Sequence, residues 1–359
     1  MKKISFICLA LSMTSIISAA PAENSSSAKK SAKELIATGQ KLEKAKQFEA
    51  AIEAYNEAIA VEKNILGLQN ALLKSAKAKV KIKDLGGAIN DLEKLLSLKK
   101  NNPTVGLINY QTAILEIANI YSNHVKDFNG AIALVDQALA DKSYNANMIK
   151  KFIQRKNALL QGQVNELVKY KKFDHARKLA AANLKNMPSD ATKIAVINTE
   201  IAYAKNLTAK KKLKESEAIL RAAAKIKVAN SKIYWAIQEA ILQNAIVSKN
   251  IVIAQKELDI LKKMSNGEKL YLVKPQERFF LAFGKNKELV DFLINTAKDS
   301  KLTKRKQADL YADASFYAVS KLKNLKLSRE LYAKAKALAG KNYRNMRVEK
   351  SQAYWEKKL

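Results

Sequence analysis

Apolar side chains recur at helical spacing along almost the whole chain from about residue 32. One segment places them at Phe48, Ala51, Ile52, Tyr55 and Ala58, which is the i, i+3, i+4, i+7 pattern of a helix with one buried face. The same pattern returns in three later segments, which begin at Leu85, Phe128 and Phe173. The chain is therefore predicted to be all-α.

The small residue inside each pattern gives the repeat length. Ala51, Ala88, Ala131 and Ala176 follow one another at steps of 37, 43 and 45 residues. Weaker copies follow at Ser216, Ala254 and Ser328, with room for one degraded unit around Phe292. A period near 40 residues predicts a solenoid of antiparallel helix pairs. Prolines disfavour helix in the residue before them, so hairpin boundaries are expected at Pro103, Pro188 and Pro275.

The first unit carries a recognisable motif. Gly39 stands in its first helix, and Ala51, Tyr55 and Ala58 follow in the second. This spacing resembles the tetratricopeptide repeat (TPR). The resemblance implies a right-handed superhelix of about seven to eight antiparallel helix pairs, with close helix packing at Gly39, Ala51, Tyr55, Ala58, Ala88, Ala131 and Ala176. Residues 32–189 are predicted to be TPR-like repeats, and residues 190–359 a divergent helical-repeat region with a basic C-terminal cap. A plain helical bundle is the alternative.

The N-terminus has the three parts of a secretory signal peptide. A basic start is followed by an apolar run from Ile4 to Ile17 and by small residues that end at Ala22. We expect a signal peptide over residues 1–22, a cut after Ala22 and a polar linker over residues 23–31; an uncleaved anchor is the alternative. The mature protein would then be periplasmic or secreted, with no transmembrane segment and no cysteine.

The chain is strongly basic. It has 65 Lys and Arg against 33 Asp and Glu, a net charge of +32, of which +30 remains after loss of Lys2 and Lys3. This charge favours either simple solubility or binding to an anionic polymer or a lipid surface. Exposed aromatic residues do not alternate with basic ones along one face, so nucleic acid is not the expected partner.

Catalytic chemistry has little support in the sequence. The two histidines, His124 and His175, have no partners at metal-ligand spacing, and no phosphate-binding or nucleophile motif occurs. Carboxylates precede cations by four residues at Glu217–Arg221, Asp259–Lys263 and Glu330–Lys334, as in solvated helix pairs. We therefore predict no enzyme, no cofactor and no metal; a hydrolase with a buried acid pair is the least supported alternative.

The TPR resemblance implies a concave groove lined by the first helix of each pair. A peptide or a partner protein would bind there, so the chain would act as an exported scaffold or adaptor in envelope assembly. The alternative function is an electrostatic binder of anionic polymers, lipid head groups or nucleic acid, and the candidate positions can also be ordinary solvated ones. The groove candidates are Lys33, Gln40, Lys74, Lys77, Asn119, Asn123, Gln161 and Asn165.

Overall fold

A computed structural model describes residues 30–340 and 342–358. In these residues it contains seventeen α-helices and no strand, which confirms the all-α prediction. The predicted signal peptide and all of the predicted linker except Lys30 and Ser31 lie outside the described residues. Ser31 caps the first helix: its backbone N–H donates to the Glu34 carboxylate at 2.8 Å, and its hydroxyl accepts from the Glu34 N–H.

The helices follow one another with short connections. A 3₁₀ turn at Leu98–Lys100 follows α4, and a π-helical turn at Tyr121–Val125 extends α5. The first eight helices are α1 Ala32–Lys44, α2 Phe48–Val61, α3 Ile65–Lys81, α4 Leu85–Ser97, α5 Leu107–Ile120, α6 Phe128–Ala140, α7 Ala146–Lys169 and α8 Phe173–Asn186. The others are α9 Asp190–Ala209, α10 Leu213–Ala223, α11 Ser231–Val247, α12 Ile251–Met264, α13 Lys269–Ala282, α14 Asn286–Ala297, α15 Lys304–Ser320, α16 Leu325–Ala339 and α17 Met346–Glu356.

Sixteen of these helices form eight consecutive pairs, and the chain divides into two compact units within α5, between Ala113 and Ile114. In the first unit α1 packs on α2, and α3 on α4. In the second unit α7, α9, α11 and α13 contact one another in succession, whereas each of α8, α10 and α12 contacts the first helix of its own pair and that of the next pair. α17 packs on α15 and α16 after the last pair. The prediction of an α-solenoid of paired helices is confirmed in the described residues.

The fourth residue of every second helix is completely buried. In seven pairs it is alanine or serine, because two helices approach closely only over a small side chain. The α13–α14 pair, which contains Phe292, has leucine there instead. The eight residues are Ala51, Ala88, Ala131, Ala176, Ser216, Ala254, Leu289 and Ser328.

The turn inside each pair holds one residue in the left-handed region, two positions before the second helix. A left-handed conformation costs a side chain with a Cβ about 1–2 kcal/mol. A cation beside a helix C-terminus offsets about 0.3–1 kcal/mol of that cost. The eight residues are Lys46, Lys83, Lys126, Lys171, Lys211, Lys249, Gly284 and Lys323, so all but one are lysines.

Pro275 corrects one sequence expectation. Pro103 and Pro188 lie between helix pairs, but Pro275 lies inside α13 and is buried. The helix continues past it because Leu272 and Phe279, on either side, are both in the core. Proline also removes a backbone donor, so this helix keeps its shape through tertiary packing.

Gly39 gives a sharp test of the helix contact in the first pair. A Cβ on Gly39 would lie 2.8 Å from Cδ1 of the fully buried Tyr55 ring, too close for any real contact. We expect Gly39→Ala to lower the free energy of unfolding by about 1–3 kcal/mol. Gly86→Ala is the control, since open space surrounds Gly86, and it should raise stability by up to about 0.5 kcal/mol. Denaturant unfolding measures the stability of both variants. Equal changes in the free energy of unfolding would contradict the close contact between Gly39 and Tyr55.

Candidate binding groove

A cleft of about 530 Å³ lies along the first helices of three successive pairs in the second unit. Lys205 comes from α9, Glu239 and Gln243 from α11, and Arg278 from α13. Because these three helices contact one another in succession, one face presents side chains from all of them. A cleft of this size can hold part of an extended chain.

The repeat register explains why these side chains meet. Lys205, Gln243 and Arg278 each precede the buried fourth residue of the following helix by eleven positions. Gln40, Lys77 and Asn165 occupy the same position in earlier pairs. Counting back from Ser216 and Ala254 would therefore have found Lys205 and Gln243 in the sequence. Arg278 is hidden from that count, because its unit has Leu289 in place of the small residue.

A buried polar network fixes one wall of the cleft. The Thr208 hydroxyl donates to Oδ1 of Asn244 at 3.1 Å, and Nδ2 of Asn244 donates to the Leu213 carbonyl at 2.9 Å. The Ser216 hydroxyl lies 2.8 Å from that of Thr208 and donates to the Ala204 carbonyl at 2.9 Å. These bonds join α9, α10 and α11, so the cleft is built on rigid elements.

The charged groups of the cleft are available to a ligand. Lys205, Lys211 and Arg278 are exposed and Glu239 is half-buried. Within the part of the chain that the structure describes, none of the four forms an ion pair. A ligand that carries both acidic and basic groups could satisfy them, and the Gln243 amide can bond to a peptide backbone.

Further along the first-helix face, the last pairs carry charges that are already engaged. The Tyr317 hydroxyl donates to the Glu277 carboxylate, and Lys274 donates to Glu277 at 3.0 Å. Burial, and then this hydrogen bond, raise the pKa of Tyr317 to about 12. Burial also raises the pKa of Asp313, against the attraction of the nearby Arg347.

The eight groove candidates from the sequence divide between the two units. Lys33, Lys77, Asn123 and Asn165 are exposed, and the other four are half-buried. Asn123 lies in the π-helical turn, where the extra residue shifts the register of α5. The residue eleven positions before Ala131 is therefore the buried Ile120, not an exposed polar side chain. None of the eight lines the cleft described above, and their role in a groove stays a prediction. The remaining four are Gln40, Lys74, Asn119 and Gln161.

The candidate groups for catalysis or metal binding are dispersed. His124 and His175 are both exposed. Over residues 30–340 and 342–358, no three His, Cys, Asp or Glu side chains are placed to hold a metal ion, and no helix is both long and apolar enough to cross a membrane.

The ion pairs predicted within single helices have mixed outcomes. Glu217 pairs with Arg221 at 2.8 Å, as predicted, whereas Asp259 pairs with Lys262 at 2.9 Å rather than with Lys263.

Three features define the architecture. The helices are paired, the turn in each pair holds one residue in the left-handed region, and a buried residue recurs at the fourth position of each second helix. The chain is a TPR-like helical repeat. No family model matches the sequence, and no curated protein matches it.

Several solved structures are similar to the chain at low sequence identity. A tetratricopeptide repeat protein from Parabacteroides merdae is 12% identical, with a TM-score of 0.38, over 80% of this chain and 98% of that one. The apo quorum sensor NprR from B. thuringiensis is 13% identical, with a TM-score of 0.38, over 86% and 87%. The yeast Sti1 TPR2AB domain in complex with pHSP90 is 18% identical, with a TM-score of 0.30, over 70% and 98%. At these identities and TM-scores, the assignment of the TPR-like repeat rests on the helix geometry alone.

Proposed function

We propose that this TPR-like protein is an exported scaffold that binds an extended segment of a partner protein along α9, α11 and α13. The observation that carries the proposal is the row of unpaired side chains Lys205, Glu239 and Arg278 along one cleft. Rigid repeats suit such binding because they present a long surface while their core stays closed. Mixed charge in the groove favours a segment with both acidic and basic residues.

The place of action follows from the N-terminal sequence. The basic start, the apolar run and the small residues before Ala22 support export, and an envelope assembly or adaptor role is the function we propose there. A scaffold needs no catalytic group, in keeping with two exposed histidines that have no metal-ligand spacing.

Affinity capture by the mature chain, residues 23–359, tests this function. The bait is incubated with envelope extract and washed at low and then at high salt, and retained proteins are identified by mass spectrometry. We expect one discrete protein to survive the high-salt wash. Recovery of nothing but anionic polymer or lipid, released by salt, would contradict the proposal.

A matched pair of variants locates the binding surface. The groove variant carries Lys205→Ser, Glu239→Gln and Arg278→Ser. The control carries Lys214→Ser, Lys256→Ser and Glu288→Gln on the exposed sides of α10, α12 and α14, with the same change in net charge. With the purified partner, we expect the groove variant to bind at least about tenfold more weakly and the control to bind like the wild type. Equal losses in both variants would overturn the groove as the site.

A further inference from the structure

Positive charge is concentrated at one edge of the second unit. From Ile114 onward, the six turns inside helix pairs comprise eighteen residues, with ten lysines and one acid, Asp127. The six connections between pairs and before α17 comprise thirty-one residues, with seven cations and three acids. Asp127 is itself engaged, since it accepts a hydrogen bond from the Gly130 N–H at 2.9 Å. The turn edge is therefore the more basic edge by a wide margin.

Helix capping accounts for only part of this concentration. One lysine per turn, at the left-handed position, is favourable beside a helix C-terminus. The turn before α8 adds Lys172, and the turn before α10 adds Lys210 and Lys212. These lysines are exposed, and only Lys212, which lies 3.2 Å from Glu215, has an ion-pair partner among the residues that the structure describes.

A cleft of about 240 Å³ lies between these two turns. Lys171 from the first turn and Lys210 and Lys212 from the second line it. A single acid, Asp174, belongs to the lining and is exposed. Several ammonium groups around one recess suit a compact anion with several acceptor oxygens, such as a phosphate group.

The rest of the lining indicates what carries the phosphate. Phe173 and Tyr203 are half-buried with ring centroids 5.7 Å apart, and the Arg177 guanidinium covers the Tyr203 ring at 4.8 Å. These rings therefore form no open platform for nucleobases. The Asn206 amide also lines the cleft and can bond to hydroxyl groups.

We propose that this cleft binds a phosphate group carried on a polysaccharide, and that the basic turn edge extends the contact along the polymer. This cleft shares no lining residue with the groove on α9, α11 and α13, although Lys211, in the same turn as Lys210, lines that groove. Loss of one activity is therefore distinguishable from loss of the other.

Phosphomannan, with unphosphorylated mannan as the neutral control, is the probe. The edge variant carries Lys171→Gly, Lys172→Ser and Lys210→Ser. The first change relieves a left-handed lysine with φ of 57°, and the second places a good capping residue before α8, so the variant should remain folded. The control variant, Lys142→Ser, Lys225→Ser and Lys227→Ser, removes three exposed charges from connections between pairs.

Binding is measured by calorimetry or biolayer interferometry at two salt concentrations. We expect phosphomannan to bind and mannan not to bind. The edge variant should lose about tenfold to a hundredfold in affinity and show a weaker salt dependence, and the control variant should stay within about twofold. Equal binding of mannan, or equal losses in the two variants, would overturn the proposal. So would tighter binding of single-stranded DNA or phosphatidylglycerol vesicles with the same dependence on the edge lysines.

Discussion

Leu289→Ala is expected to lower the free energy of unfolding by about 2–5 kcal/mol, because it leaves a cavity in a closed core. Leu289 is completely buried in the cluster formed by α13 to α17, which also contains Leu293 and Leu331. It occupies the repeat position that holds alanine or serine in the other seven pairs. Alanine is the common residue at this position, but in this pair leucine fills the space between the helices. Substitution by alanine should therefore lower the stability of the protein.

The reverse substitution and a surface control complete this test. Ala176→Leu places extra methyl groups where α7 and α8 meet, and should cost about 1–3 kcal/mol. Leu270→Ala, at a site 39% exposed, should change stability by about 0.5 kcal/mol or less. Urea unfolding followed by far-UV circular dichroism measures all three variants. A neutral Leu289→Ala would mean that the fourth position carries no packing constraint in this pair.

Arg221→Met is expected to destabilise the second unit by about 2–4 kcal/mol. Arg221 on α10 lies 2.9 Å from Glu257 on α12, whose side chain is only 2% exposed. The hydrogen bond to Glu257 is the largest cause that raises the pKa of Arg221. Without the guanidinium, Glu257 keeps only Gln238, which donates at 2.6 Å, and a buried carboxylate loses its counter-charge. The expected cost lies below that of a wholly buried pair because the arginine is half-exposed.

Two variants separate the contribution of this pair from that of the exposed one. Glu217→Gln removes the surface partner of the same arginine and should cost about 0.5 kcal/mol or less. The double variant Arg221→Met, Glu257→Met should recover most of the loss. A deficit equal to that of Glu217→Gln, or a double variant no more stable than Arg221→Met, would contradict the role given to Glu257.

Local periodicity predicts most of this fold. The spacing from Phe48 to Ala58 predicts a helix, and its recurrence predicts the pairs, because each helix buries one face against its neighbours. Features set by distant contacts were not predictable. Pro275 stays helical because the core on both sides holds α13, and Arg221 finds Glu257 thirty-six residues away. The left-handed lysines follow from turn geometry, which the hydrophobic pattern does not record.

The candidate groove was predictable only in part. The resemblance to the TPR motif supplies register positions where the small residue is clear, as at Ala51 or Ala176. In the later units Ser216 and Ala254 lead back to Lys205 and Gln243, which were therefore predictable, whereas Leu289 replaces the small residue and hides Arg278. The π-helical turn at Tyr121–Val125 adds a residue that no spacing rule anticipates, and it moves Asn123 out of register.

Site-specific photo-crosslinking tests the binding groove most directly. A photoreactive amino acid replaces Gln243 in the cleft of the full chain, or Lys256 on the exposed side of α12 as the control, and cells are irradiated. We expect one discrete crosslinked protein from position 243, none from position 256, and loss of the adduct when Arg278→Ser is added. Equal crosslinking at both positions, or none at position 243, would contradict a partner bound along α9, α11 and α13.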